Sequence, residues 1–281
     1  MDNLTIERWI SDEEIGLLEH SSYWNDEEVE KGKEWYVLDD DFTKMEQYLE
    51  KRGFFKNFFA CCEYLSKRCN RTIGGVGVDL AAGNLWAVPH LLKCGNVEKI
   101  YCVEYSKHRL LKLGPKLLEH YKVQPDKVVL TLGSFNDIKL ASNTADFLFL
   151  SAAFHHASDP CRLLSEMRRV LKPQGLVVII GEHVLDWPQH LTAALKSIVK
   201  VCAANTIPPG IQLKFFKKIF HNKRLSIKPD RLFPNDDILG DRYYTLKQYR
   251  EMFSKYDFNM KRVFLRGYIF QSFVLISDKR S

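Results

Sequence analysis

The sequence lacks any apolar run near the roughly 20 residues that a bilayer-spanning helix needs, so no membrane span is expected in its 281 residues. Its opening, Met-Asp-Asn-Leu-Thr-Ile-Glu, lacks the basic region and apolar core of a signal peptide. Its seven cysteines are odd in number and follow no zinc-site spacing. The adjacent Cys61 and Cys62 fall in an apolar helical pattern and read as buried thiols. These absences point to a cytoplasmic, reducing setting. No RNA-binding module is visible, which argues against nucleic acid even though Lys and Arg cluster between Lys214 and Arg231.

Charge of one sign is scarce in each part of the chain. Residues 1–50 hold 4 Lys/Arg against 16 Asp/Glu, and the rest holds 37 Lys/Arg against 19 Asp/Glu. Either both are solvated faces, or an acidic arm packs on a basic body. A basic body would also favour an anionic small-molecule substrate. With 46% hydrophobic and 27% charged residues the chain is ordinary for a globular protein, and one elaborated domain is expected.

What is present centres on residues 76–84, Val-Gly-Val-Asp-Leu-Ala-Ala-Gly-Asn. This order reads as a buried strand, a tight turn of small residues and a helix start. Small residues let a backbone approach a ligand, and a helix N-terminus offers unpaired N–H donors. Glu104 ends the next apolar run and would sit beside the turn, where it could accept two ribose hydroxyls. Read alone, the turn could equally serve a nicotinamide dinucleotide or merely join a strand to a helix.

Around that turn, strand and helix patterns alternate. Strands are expected at 76–80, 100–104, 127–132, 145–150 and 176–180, with a closing antiparallel pair at 261–266 and 269–276. Helices are expected at 85–94, limited by Pro89, at 107–121 with a break at Gly114-Pro115, and from Asp159-Pro160. Leu171–Gly175 reads as a turn. Thr245 caps a helix over 246–256. The sum is an α/β fold, a Rossmann-like, seven-stranded, mostly parallel sheet with helices on both faces. Before it, residues 1–40 carry Trp9, Tyr23, Trp24, Trp35 and Tyr36 in acidic sequence and suggest short helices, one near 11–20 with Ser11 and Glu14 as a capping box. Residues 41–68 read as helical on either side of Gly53. Residues 183–245 interrupt the rhythm with helical segments at 188–204 and 211–221 and follow the fifth strand, where ligands of open α/β sheets bind, so they read as a cap over a substrate.

A second stretch, Thr144-Ala-Asp-Phe-Leu-Phe-Leu-Ser-Ala-Ala-Phe-His-His-Ala-Ser-Asp-Pro160, is followed by a helix and by Leu171-Lys-Pro-Gln-Gly175. Together with the turn at 79–85, it resembles the class I S-adenosylmethionine-dependent methyltransferases of the small-molecule type, over about 72–182 and more loosely 241–276. That family usually has glycine where Ala81 and Leu85 stand; Ala81 is tolerable if its φ is negative. The resemblance implies S-adenosyl-L-methionine as cofactor. It implies backbone contacts to the methionine portion from Asp79, Ala81 and Gly83, ribose binding by Glu104, adenine packing by Tyr105, an adenine-flanking loop at Ser134 and Phe135, and Ser151 beneath the sulfonium. It also implies that residues 1–70 form a helical lid on a methyltransferase domain at 71–281. The fourth strand ends in Ser-Ala-Ala-Phe rather than the Asn/Asp-Pro-Pro-aromatic turn of amino-methylating nucleic-acid enzymes.

A sulfonium methyl is already electrophilic, so no metal is called for, and a hydroxyl acceptor needs chiefly alignment and a base. His155 and His156, with His156 preferred, and His183 are the candidate bases. One of them could instead be structural, and Glu182 could orient His183. Tyr243 and Tyr244 are candidate substrate contacts. The expected reaction is O-methylation of a small or medium metabolite, with an anionic or sugar-type acceptor. Nitrogen or carbon acceptors, a cofactor-binding partner without catalysis and a nicotinamide-dependent oxidoreductase are the alternatives. The sequence does not specify the oligomeric state.

Overall fold

The computed structural model describes residues 4–31, 33, 41–184, 240–265 and 270–277. Eight strands form one sheet: β1 (Thr5–Arg8), β2 (Gly75–Leu80), β3 (Val97–Glu104), β4 (Val128–Leu132), β5 (Ala145–Ser151), β6 (Leu171–Glu182), β7 (Phe258–Val263) and β8 (Gln271–Ser277). Their order is β1-β4-β3-β2-β5-β6-β8-β7, parallel from β1 to β6 and antiparallel at β6–β8 and β8–β7. Central β2 has β3 on one side and β5 on the other. The connections diverge there, and an open sheet splits into a ligand crevice at such a point, at the strands' carboxyl ends.

The expected seven strands are thus eight. Thr5–Arg8 pairs with Val129–Leu132 and extends the sheet edge, where only short helices were expected. The expected turn at 171–175 is also corrected. Leu171 pairs with Ala145, so β6 starts there, and an irregularity in the β5–β6 pairing absorbs Lys172–Gly175. The closing strands begin and end away from the expected bounds, at Phe258–Val263 and Gln271–Ser277, with 266–269 outside the described residues.

Side chains alternate across the pleat and build a core on each face. Phe147 and Phe149 belong to one cluster, Leu148 and Leu150 to the other. The first face is covered by α4 (Thr43–Arg52), α5 (Phe54–Cys69), α6 (Val88–Cys94) and α7 (Gly114–His120). Phe54, Phe58, Cys61 and Leu65 of α5 are buried at helical spacing. Cys62 is only half-buried, with its Sγ 3.4 Å from Cys94 Sγ. Gly53, at φ 78°, ends α4 and starts α5, the break its position suggested. The second face is covered by α8 (Pro160–Val170) and α9 (Leu246–Lys255). Asp159 caps α8 at Arg162 N–H, and Thr245 with Gln248 forms a capping box on α9. Helix α6 starts at Val88, three residues later than expected, with Pro89 in its first turn. His108–Leu113 form a π-helical turn that runs directly into α7, so Gly114-Pro115 causes no break.

The acidic arm lies on the basic body. Short helices α1 (Asp12–Gly16), α2 (Ser21–Trp24) and α3 (Glu27–Glu30) carry acids that meet bases of the sheet domain. Asp12 pairs with Lys107 at 2.8 Å, Glu27 with Lys112, and Glu19 with Arg242 at 2.9 Å. Ser11 and Glu14 form the expected capping box. The expected helices at 188–204 and 211–221 lie outside the described residues. No helix among the described residues is long and apolar enough to cross a membrane.

Candidate active site

At the carboxyl ends of β2, β3, β5 and β6 a cavity of about 260 Å³ opens, walled by the turn after β2, the arm and the loops after β5 and β6. The turn has an uncommon backbone. Ala81, Gly83 and Leu85 all have left-handed φ, at 56°, 56° and 68°. The condition of a negative φ at Ala81 is not met: this chain holds the glycine-type turn with side chains that disfavour it, at roughly 1–2 kcal/mol per residue. Packing supports the strain at Leu85, which is fully buried.

Glu104 closes over the turn. Its Oε2 accepts from Gly83 N–H at 2.9 Å, and its Oε1 accepts from Tyr105 N–H at 2.9 Å and Ser106 N–H at 2.8 Å. An ionised carboxylate has about four acceptor positions, so three backbone donors leave room for a hydroxyl and make the residue an anchor of the turn as well. Asp79 is 2% exposed, and burial, with the Glu104 carboxylate second, raises its carboxyl well above the usual range. Tyr105, Phe135 and Ser151 line the same cavity. Ser134 does not. Its hydroxyl accepts from Asn136 N–H at 3.2 Å and shapes the loop that presents Phe135.

The three histidines converge at the other end. Phe154–His156 form a single 3₁₀ turn after β5, and His183 follows β6 directly. His155 Nδ1 lies 3.1 Å from Glu182 Oε2, while Phe154 N–H and Tyr249 O–H donate to the same carboxylate at 3.1 and 2.9 Å. Glu182 therefore holds His155 rather than His183. Burial pushes His155 down to about 3. Burial, then the neighbouring His155, pushes His183 down to about 4, so both rings are neutral near pH 7. His156 lies with Nδ1 3.4 Å from Asp241 Oδ1. His155 Nε2, at 3.8 Å, faces the same oxygen, and the three groups bring ligand-type atoms within 4.8 Å, a set able to share a proton or a cation. Tyr243 and Tyr244 do not line the cavity. Tyr243 makes a tilted ring contact with His183, centroids 5.2 Å apart, and Tyr244 packs on Phe154 and Tyr249.

Several cavity residues carried no sequence signal. Glu30 is fully buried, lies 2.6 Å from His108 Nε2 and accepts from both Nε and Nη2 along one edge of the Arg109 guanidinium, which itself lies 4.5 Å over Trp24. Burial opposes the charge, but the His108 and Arg109 hydrogen bonds hold Glu30 below the usual carboxylate range. Trp86 directly follows the singled-out turn, and its aromatic character was the one cue available. Asp241 follows the 183–240 stretch and Phe270 immediately precedes β8, whereas Phe54 starts α5, whose apolar stripe did carry a sequence signal.

The cavity suits S-adenosylmethionine. Gly83 lets the backbone reach the cavity wall, where a Cβ would meet nothing nearer than Arg109 Nη1 at 3.8 Å, and Glu104, Tyr105 and Phe135 supply an acceptor and two ring faces. Residues 78–179 match the family described as Methyltransferase domain. A dimethylglycine N-methyltransferase of Parasynechococcus marenigrum is 31% identical over 117 residues, 40% of this chain and 39% of that protein. A demethylmenaquinone methyltransferase of Anoxybacillus flavithermus is 25% identical over 144 residues, 51% of this chain and 58% of that one. The chain thus spans less than two thirds of the length of these relatives. Among solved structures, a chain of the complex between the Haloferax volcanii Trm112 methyltransferase activator and a methyltransferase superposes with a TM-score of 0.53 at 15% identity, covering 86% of this chain and 100% of that one. A candidate S-adenosyl-L-methionine-dependent methyltransferase from Methanococcus maripaludis gives 0.51 at 15% identity, covering 89% and 99%. At such identities the likeness is one of fold. Sheet order, turn and matched region agree: residues 78–179 match the methyltransferase-domain family, and the fold is like that of S-adenosylmethionine-dependent methyltransferases, a likeness that implies S-adenosyl-L-methionine as cofactor.

Proposed function

We propose that the protein transfers a methyl group from S-adenosylmethionine to a hydroxyl of a small or medium metabolite. The observation that carries this reading is one cavity with the turn of 81–83 and Glu104 at one end and His155, His156, His183 and Asp241 at the other. Asp79, Ala81 and Gly83 would hold the methionine portion, Glu104 the ribose, and Tyr105 and Phe135 the adenine. The cofactor supplies an electrophilic sulfonium methyl. The chain's own residues must align the acceptor and remove its proton, contributions of ~7–11 kcal/mol and roughly 10²–10⁴-fold respectively.

His156 is the proton acceptor in this reading. His155 and His183 are pushed too far down to compete for a proton near neutral pH. Asp241 stands beside His156 and would stabilise the imidazolium. Glu182 fixes His155, which with Tyr249 braces the loop. Residues 1–70 act as a lid, pinned by Glu30 to Arg109, and 183–245 as a cap; the basic part of that cap, which motivated an anionic or sugar-type acceptor, lies outside the described residues.

The test pairs binding with turnover. The chain should bind S-adenosylhomocysteine, and His156→Ala should cut methyl transfer at least about a hundredfold with that affinity unchanged. Full activity in His156→Ala removes the base assignment. Labelled product carrying the methyl on nitrogen, as in the dimethylglycine relative's reaction, replaces the hydroxyl acceptor with an amine.

A further inference from the structure

We propose that the acceptor is an aryl alcohol, a neutral planar ring compound whose phenolic hydroxyl is presented to His156. This rests on the methyl-transfer reading of the cavity and goes on to name the class of acceptor.

Rings that line the cavity touch in series. His156 meets His155 at 4.3 Å between centroids, His155 meets His183 at 4.9 Å, and His183 meets Phe270 at 5.1 Å. Phe270 meets Phe54 at 5.7 Å, and Phe54 meets Trp86 at 5.8 Å. The contacts are tilted or edge-on, with interplanar angles from 43° to 74°, so the wall offers faces and edges for offset and T-shaped contacts with another ring. The series has two chemical halves. One is imidazole with Asp241; the other is hydrocarbon, broken by a single indole N–H. A molecule matching both has a hydroxyl on one edge and an apolar ring on the other.

The other acceptor classes fit this wall less well. A polyol would lose water from several hydroxyls against Phe54, Trp86 and Phe270 and gain few partners. For an anionic acceptor, the one Lys or Arg among the described lining residues is Arg109, which is committed to Glu30. The described lining also carries the carboxylates of Glu104 and Asp241, which oppose an anion. A protonated amine would be drawn to the rings and Asp241 and would also have to give its proton to His156 before attacking, so the dimethylglycine probe distinguishes it from the phenol. A phenol needs the base that His156 provides: its proton passes to the imidazole, its oxygen pair forms the bond to the methyl carbon, and the pair of the broken S–C bond stays on sulfur.

The experiment uses the full chain with three neutral or zwitterionic probes: 4-methylphenol, methyl β-glucoside and N,N-dimethylglycine. Saturation-transfer NMR reads binding with and without S-adenosylhomocysteine, and transfer of a labelled methyl from S-adenosylmethionine reads turnover. The expected result is saturable binding and O-methylation of 4-methylphenol alone. Phe270→Ala should raise its KM about tenfold or more while leaving S-adenosylhomocysteine affinity unchanged, which also shows that the variant is folded. Trp86→Leu serves as a second variant with the same expectation. Methylation of the glucoside or of dimethylglycine but not the phenol overturns the proposal, as does an unchanged phenol KM in both variants. If S-adenosylhomocysteine binds and 4-methylphenol neither binds nor reacts, this inference alone fails. If S-adenosylhomocysteine does not bind, the methyltransferase reading itself fails.

Discussion

At the residue scale the site is a compromise between backbone and side chain. Ala81 occupies a left-handed position that glycine adopts freely. Ala81→Gly should therefore stabilise the protein, or leave it unchanged, by up to about 1 kcal/mol, the relief of φ strain exceeding the extra chain entropy; urea unfolding with and without S-adenosylhomocysteine measures it, and a loss beyond about 1 kcal/mol would mean that the Ala81 methyl is needed for packing. Glu104 is better tested by Gln than by Ala, because it anchors three backbone donors as well as facing the cavity. Glu104→Gln keeps the shape and removes the charge. It should weaken S-adenosylhomocysteine binding about tenfold or more, in line with ~1.5–3 kcal/mol for a hydrogen bond to a charged group; unchanged affinity contradicts the ribose assignment. Glu104 at the end of β3, Asp79 one residue before the end of β2 and the His155-His156 pair in the turn after β5 were singled out in the sequence because each lies close to the end of a recognisable apolar strand. Glu30, Asp241 and the partner of Glu182 were not. Each is defined by a contact across many residues of chain, and spacing carries no trace of such pairing.

Among the elements, the arm is held by charge as well as by hydrocarbon. Leu17 is 86% exposed and Ile15 is buried, while Glu30 sits in the interface with His108 and Arg109. Removing one partner of such a pair costs on the order of 3–5 kcal/mol, because the other charge is left unsatisfied. Glu30→Ala should make 1–40 sensitive to proteolysis. The pH dependence has a definite sign. Glu30 is held below its ordinary value in the folded state, so its contribution is present above the unfolded carboxylate value of about 4.3 and is lost as pH falls through the lower, folded value. Limited proteolysis should find the arm protected at pH 6 and released first as the solution is acidified below about 4; protection unchanged by Glu30→Gln at pH 6 contradicts this account. The excess of acids in 1–50 gave the charge complement, but not strand β1. Its four residues, Thr5–Arg8, are too short for a periodic signal, and they find their place only against β4. The turn expected at Leu171–Gly175 failed for a related reason. Proline and glycine favour a turn locally, yet Leu171 is already paired with Ala145 when they arrive.

For the whole molecule, central β2 flanked by β3 and β5 determines where everything else gathers. The crevice at that point receives the donor-binding turn from β2, the acid from β3, the histidine turn from β5 and His183 from β6. The arm and the segment at 240–244 close it from opposite ends of the chain, joined by Glu19 and Arg242. The alternation of apolar strands with helices was enough to give this sheet and its position, because buried parallel strands leave a continuous apolar record. The most direct measurement is calorimetric titration of the full chain with S-adenosylhomocysteine, with NAD as the comparison. One saturable site per chain for S-adenosylhomocysteine, and none for NAD, is the result predicted; binding of NAD with no binding of S-adenosylhomocysteine at any attainable concentration would contradict it.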